Sequence, residues 1–311
     1  MSDPSNYRGV HLTTLLSKVA ERIINSLMTP FLQKTGAFGT PQFAFQKGLS
    51  ANDLIAYLVC YWILCLTNRE KIGIYLSDIS GAFDKVEKVR LMQKLANAGL
   101  NDNLRNLLQD YLSIRAAYVL SNGEKSDQMG LENTVFQGIV LGPILWNVFF
   151  KDITDLPELA DAVSALFADD LSITKAFSQH TSNAEIKRKM GTYQDATHRW
   201  GKTERVEFDA SKEAIVVIHH IDGEGPDFKL LGPVFDVKLV MHPAVKKIVT
   251  KARPKLVSML KTKRHYSTRD MVIQFKTHLL CVLESSNAAV YHVSDTVLAP
   301  SGASWSTFST K

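Results

Sequence analysis

The chain has 311 residues, 45% of them hydrophobic and 22% charged, with a formal net charge of +5. That balance excludes a disordered chain and supplies a core for one large or several small subdomains. Three cysteines (Cys60, Cys65, Cys281) at no metal-ligand spacing exclude a disulfide framework and a zinc site.

The cysteine usage fits a reducing intracellular compartment, with nothing to separate nucleus from cytoplasm. The N-terminus lacks the apolar core of a secretory signal. The longest uncharged apolar run, 54–66, is shorter than the roughly 18–20 residues that cross a bilayer, so no membrane partner is expected.

In chain order, apolar residues at helical spacing predict a helix over 12–32, with Pro30 near its end. A Gly/Pro/aromatic loop follows over 36–50, and Asn52-Asp53 is the expected N-cap of a buried helix over 54–66. The run from Ile72 to Asp78 reads as a buried strand ending on a carboxylate. Helices are expected over 86–98 and 101–113, separated by Gly99, and strands over 116–120 and 129–135 around the turn residues Asn122-Gly123. Pro143 suits the first position of a helix reaching about 153. Residues 163–174 read as a hairpin with Asp169 and Asp170 between its strands. A helix over 184–200, strands near 206–208 and 214–219 and a hairpin near 228–239 come next. The last feature is a basic helical region that Pro254 is expected to interrupt, followed by a Ser/Thr-rich tail that reads as poorly ordered.

Clustered carboxylates on separate strands suit divalent-metal phosphoryl transfer, because Mg²⁺ prefers hard oxygen ligands. Asp78, Asp169 and Asp170 fit that pattern, although a lone Asp-Asp turn is more often a solvated hairpin tip. Between 242 and 269 the chain carries nine Lys or Arg residues and no Asp or Glu. Such a block suits a polyanion, and a solvated helix face explains it about as well.

Three blocks in order decide between these readings. Asp78-Ile79-Ser80-Gly81-Ala82-Phe83-Asp84 resembles the first palm motif of non-LTR (LINE-type) retrotransposon reverse transcriptases, and Phe167-Ala168-Asp169-Asp170 resembles their metal-binding turn. Between them, Phe136-Gln137-Gly138 and Leu141-Gly142-Pro143 are similar to the family's glycine-rich block. Asn6-Tyr7-Arg8 resembles the opening block, and a helix with Ser17, Lys18 and Glu21 follows it. Gln42 to Gly48 is similar to a fingers loop. Trp200 with Lys212, and Leu230-Leu231-Gly232, resemble the two later blocks, so the likeness covers about residues 6–290.

The resemblance implies an α+β right-hand polymerase, with an antiparallel palm sheet backed by helices. Fingers would span 1–75, palm 76–240 with an interleaved fingers segment at about 87–120, and thumb 241–297, leaving a tail at 298–311. It implies an RNA-directed DNA polymerase using an RNA template, a DNA primer or target and dNTPs, with two Mg²⁺ ions or Mn²⁺ in their place. Asp78, Asp169, Asp170 and the Ile79 carbonyl would hold metal, and Lys212 would serve as general acid. Phe83, Gln137, Gly138, Ala168, Arg8 and Lys47 would face dNTP or template. Leu231 and Gly232 would form the primer grip, and Lys246, Lys247, Lys251, Arg253 and Lys255 would meet nucleic acid.

The chain departs from the family pattern at Gly9, Gln46 and Phe136. Those changes keep open a catalytically inactive, nucleic-acid-binding remnant, and a two-metal nuclease is a further alternative. The chain is expected to be a fragment of a longer protein. Its oligomeric state has no sequence signal.

Overall fold

The structure, a computed structural model, describes residues 11–79, 81–113, 115–131, 135–136, 138–285 and 287–298. Arg8, Gln137 and the tail beyond 298 lie outside the described residues. The chain forms two compact units: Met1–Lys47, Leu76–Ile173 and Thr192–Glu213 make the first, and Gly48–Tyr75, Thr174–Gly191 and Ala214–Lys311 make the second.

The elements in chain order are helix α1 (Leu15–Lys34), helix α2 (Ala51–Thr67), strand β1 (Glu70–Ser77), and helices α3 (Lys88–Asn97) and α4 (Asp102–Tyr111). Short strands β2 (Arg115–Ala117), β3 (Leu120–Ser121), β4 (Glu124–Lys125) and β5 (Met129–Leu131) precede helix α5 (Gly142–Phe150). Strands β6 (Val163–Phe167) and β7 (Asp170–Ser178) follow, then helix α6 (Asn183–Glu204), strand β8 (Ala214–Ile218), strands β9 (Phe228–Lys229) and β10 (Val234–Phe235), and helix α7 (His242–Thr262).

Four strands form one sheet in the order β6-β7-β1-β8. Only Ala168 and Asp169 join β6 to β7, a link short enough only for an antiparallel pair. β1 is buried along almost its whole length, as its unbroken apolar run requires. In the second unit a Cβ on Gly73 of β1 would sit 2.8 Å from both Ile186 and Met190 of α6, so only glycine lets helix and strand approach this closely.

The first unit's core is aromatic. Trp146 and Phe150 of α5 lie 5.1 Å apart, and Trp200 of α6 meets Phe150 edge-on at 5.6 Å. Lys94 sits over the Phe149 ring and pairs with Asp152 at 2.9 Å and Glu204 at 3.2 Å, so its mostly buried charge is compensated. In the second unit, Trp62 of α2 meets Phe235 and Phe228 edge-on at 5.5 and 6.1 Å, which anchors the β9–β10 hairpin.

Four expectations change. Ser50 caps α2 in a reciprocal box with Asp53, so the cap lies two residues before Asn52. The strand expected over 116–120 shrinks to β2, because Asn122 and Gly123, both at positive φ, turn β3 back onto β4 as a separate hairpin; of the strand expected over 129–135, β5 is formed, and residues 132–134 lie outside the described residues. The strand expected near 206–208 reduces to a single bridge between Phe208 and Ile79. α7 runs unbroken through Pro254; Thr250 and Pro254 are both exposed, so water can reach the carbonyl the proline leaves unbonded.

Candidate active site

Asp78 lies one residue past the end of β1, and its side chain is 15% exposed. Asp170 opens β7, the neighbour of β1 in the sheet. The end of β1 and the start of β7 both belong to the first unit, so these two carboxylates stand at the same end of the sheet.

The carboxylate turn is held from two sides. Ala168 adopts a left-handed backbone, φ 57°, which is rare for a residue with a Cβ. The buried Gln42 side chain accepts from the Ala168 N–H at 3.0 Å and donates to its carbonyl at 3.4 Å, and the Trp146 indole N–H donates to that carbonyl at 2.9 Å. Gln42 in turn accepts from the amide of Ala44, whose carbonyl takes a 3.0 Å hydrogen bond from Asn147. These partners fix the tip from which Asp169 and Asp170 project.

A second set of contacts fixes Asp78. The Asp209 amide donates to the Asp78 carbonyl at 2.9 Å, and Phe208 bridges Ile79. Asp209 accepts from the Ser211 amide at 3.0 Å and its hydroxyl at 2.6 Å, an Asx turn that carries Lys212 round to Asp78. The Lys212 ammonium pairs with the Asp78 carboxylate and lies 3.5 Å from Asp209. The Asp78 carboxylate, and then Asp209, hold the Lys212 pKa above its ordinary value, while the Ser211 hydroxyl holds the Asp209 carboxyl below its own.

Phe83 lies in a short 3₁₀ turn, Ala82–Lys85, with its ring centroid 6.0 Å from that of Trp146. A Cβ on Gly142 would meet the Phe83 ring at 3.5 Å. Gly138 adopts φ 105°, and a Cβ there would come within 3.0 Å of the His11 carbonyl. Lys47 is exposed at the end of the 45–48 loop region. Leu231 and Gly232 form the tip of the β9–β10 hairpin in the second unit, where Lys247 of α7 donates to the Gly232 carbonyl at 2.8 Å. Lys246, Lys251, Arg253 and Lys255 are exposed on α7.

The structure therefore brings together Asp78, Ile79 and Lys212, and separately ties Ala168 to Phe83 through Trp146. Among the described residues, no three His, Cys, Asp or Glu side chains are gathered to hold a metal ion, and a lysine ammonium rather than a third carboxylate lies against Asp78. The donor set still fits a divalent cation: hard carboxylate oxygens share one sheet end, and one of them already attracts a cation. Trp146 and Asp209 escaped the sequence reading, and Gln42 stood in it only as the first residue of the fingers-loop block, with no role at the carboxylate turn. Only Asp209 carried a local sign, the serine two residues on that marks an Asx turn.

Residues 2–247 match the reverse transcriptase (RNA-dependent DNA polymerase) family. The chain belongs to the reverse transcriptase family. The RNA-directed DNA polymerase from mobile element jockey of Drosophila melanogaster is 28% identical to this reverse transcriptase over 279 residues, covering 83% of the chain and 30% of the relative. The probable polymerase from transposon X-element of the same species is 26% identical over 266 residues, covering 82% and 29%. The chain thus spans about a third of the length of the relatives it matches. Among solved structures, Candida tropicalis telomerase in complex with a fragment of telomeric RNA aligns over 88% of the chain and 46% of its own, at TM-score 0.52 and 12% identity, which supports the right-hand polymerase fold. The expected kinship with non-LTR retrotransposon reverse transcriptases is borne out.

Proposed function

We propose that this chain is an RNA-directed DNA polymerase core that adds dNTPs to a primer 3′-hydroxyl on an RNA template. The observation that carries this reading is the placement of Asp78 and Asp170 at one end of adjacent strands, with Lys212 on Asp78, in a reverse transcriptase chain. On this reading 1–75 would serve as fingers, 76–240 as palm with an interleaved fingers segment at about 87–120, and 241–297 as thumb.

In the reaction the primer 3′-hydroxyl would lose its proton to solvent water as its oxygen forms a bond to the α-phosphorus, while the bond from that phosphorus to the oxygen bridging to the β-phosphate breaks, releasing pyrophosphate. Two Mg²⁺ ions, held by Asp78, Asp169, Asp170 and the Ile79 carbonyl, would neutralise the charge that develops on those oxygens. Lys212, charged and beside Asp78, would hand a proton to the departing pyrophosphate, which requires its ammonium to leave the carboxylate as metal loads. Phe83, braced by Trp146, would pack under the incoming sugar and exclude a 2′-hydroxyl. Gln137, Gly138 and Ala168 would line the nascent base pair, with Arg8 and Lys47 on template or triphosphate. Leu231 and Gly232 would grip the primer, and Lys246, Lys247, Lys251, Arg253 and Lys255 would hold phosphates.

One observation favours a second reading, a catalytically inactive remnant that binds nucleic acid. Gln46, which stands where the family usually has Arg, turns inward and donates to the Gln42 carbonyl, so one cationic phosphate contact is absent. Extension of oligo(dT) on poly(rA) with dTTP and Mg²⁺ separates them. Template-dependent extension supports the polymerase. Salt-sensitive duplex binding without extension supports the remnant, and degradation of the primer without dTTP supports a nuclease.

A further inference from the structure

A buried carboxylate lies outside the chemistry above. Glu21, on α1, is fully buried. Its Oε2 accepts from the Val140 backbone amide at 2.5 Å and its Oε1 from the Ser17 hydroxyl at 3.1 Å. Among the described residues no cationic side chain pairs with it. Burying a carboxylate is costly, and these two hydrogen bonds offset part of that cost.

Val140 lies two residues past Gly138, in the loop that leads into α5. Within that loop the Ile139 amide reaches the Phe136 carbonyl at 3.4 Å. His11, ahead of α1, packs against it. The His11 ring stacks on Phe136 at 4.6 Å, and the His11 carbonyl backs Gly138. Beyond the loop, α5 carries Trp146 to Ala168 and Phe83. Whatever fixes Val140 therefore sets both the Gly138 backbone and the start of the helix that braces the carboxylate turn.

We propose that Glu21 is a positioning residue for nucleotide selection, holding the Gly138–Val140 loop in the conformation that receives the incoming base pair; the proposal rests on the polymerase reading. Its hydrogen bond to the loop is to backbone, so it acts on loop shape and not on any reacting atom. Loss of the bond should weaken dNTP binding while leaving the carboxylate and lysine chemistry in place.

The test compares the wild-type chain with Glu21→Gln and Glu21→Ala in primer extension on poly(rA)/oligo(dT). In Glu21→Ala the KM for dTTP should rise about tenfold, the scale of one hydrogen bond to a charged group, with kcat little changed. Glu21→Gln keeps an acceptor oxygen and should rise less; it also stands in should the alanine variant fail to fold. A fall in kcat with unchanged KM is the mark of lost folded enzyme and overturns the proposal. Hydrogen exchange of the Val140 amide gives a readout independent of activity: it should accelerate about tenfold in Glu21→Ala, and unchanged exchange overturns the proposal. A wild type that extends no primer while Val140 exchange responds overturns the polymerase reading beneath it. A wild type that extends primers beside a Glu21→Ala variant of unchanged KM overturns the proposal alone.

Discussion

The indole N–H of Trp146 donates to the carbonyl of Ala168 at 2.9 Å, and through that bond a core helix holds the turn that carries Asp169 and Asp170. The same indole lies 6.0 Å from the Phe83 ring, so one buried side chain serves two parts of the site. Trp146→Phe keeps a ring and loses the donor. It should destabilise the chain by about 1–2 kcal/mol, the scale of one buried hydrogen bond plus lost packing. It should also slow nucleotide addition by more than the lost folded fraction explains. Urea unfolding and primer extension on the same preparation measure the two effects, and normal extension by a destabilised variant would show that the turn does not depend on this bond.

Lys212 pairs with Asp78 where a divalent cation is proposed to bind, so the two cations compete. Lys212→Met should lower the Mg²⁺ concentration for half-maximal extension while reducing the rate about a hundredfold through loss of the acid. A Mg²⁺ titration reads both. Because Asp78, then Asp209, raise the Lys212 pKa above 10.5, the pair's contribution to stability is complete below that pH and is lost as pH climbs through the raised value. The side chain is 49% exposed, so the contribution is at most about 1 kcal/mol. The wild type's advantage in urea midpoint over Lys212→Met should stay level from about pH 7 to 10 and shrink above.

The fold was readable wherever it is written in local periodicity. The strand that leads to Asp78, the hairpin around Asp169 and Asp170 and the helix with Pro143 in its first turn all stand where apolar pattern and turn residues put them, to within a residue or two. Pro254 misled because helix breaking depends on whether the freed carbonyl can be solvated, which tertiary exposure decides. Gln42 was legible as part of the fingers-loop block but its bracketing of Ala168 was not, because that partner lies 126 residues away and nothing in a polar loop residue says which distant backbone it will hold. The carboxylates fared likewise: sequence order put three acids in register with a family pattern, while the contact that Asp78 makes with Lys212 spans 134 residues.

Phe83 is proposed to exclude the 2′-hydroxyl of an incoming ribonucleotide, and its ring is set by Trp146 and Gly142. Phe83→Ala should raise the ratio of UTP to dTTP addition at least about tenfold by opening the space under the sugar, as a discrimination set by shape alone predicts. Competition between UTP and dTTP in single-nucleotide extension measures it. An unchanged ratio would leave Phe83 a packing residue.

Lys246, Lys251, Arg253 and Lys255 present exposed charge on α7, whereas Lys247 donates to the Gly232 carbonyl. Neutralising one of the exposed four to Gln should weaken duplex binding independently of sequence and lower the salt slope by about one unit. Lys247→Met should instead loosen the β9–β10 tip and impair extension more than binding. Duplex affinities across a salt series, set beside extension rates, distinguish the two behaviours.

The measurement that bears most directly on the central claim is primer extension on poly(rA)/oligo(dT) with dTTP and Mg²⁺, comparing the wild-type chain with Asp169→Ala. The account predicts extension by the wild type and loss of at least about a thousandfold in Asp169→Ala, with duplex binding and unfolding midpoint close to wild type, as expected for a group that stabilises only the reacting charge. Extension that survives in Asp169→Ala would contradict it.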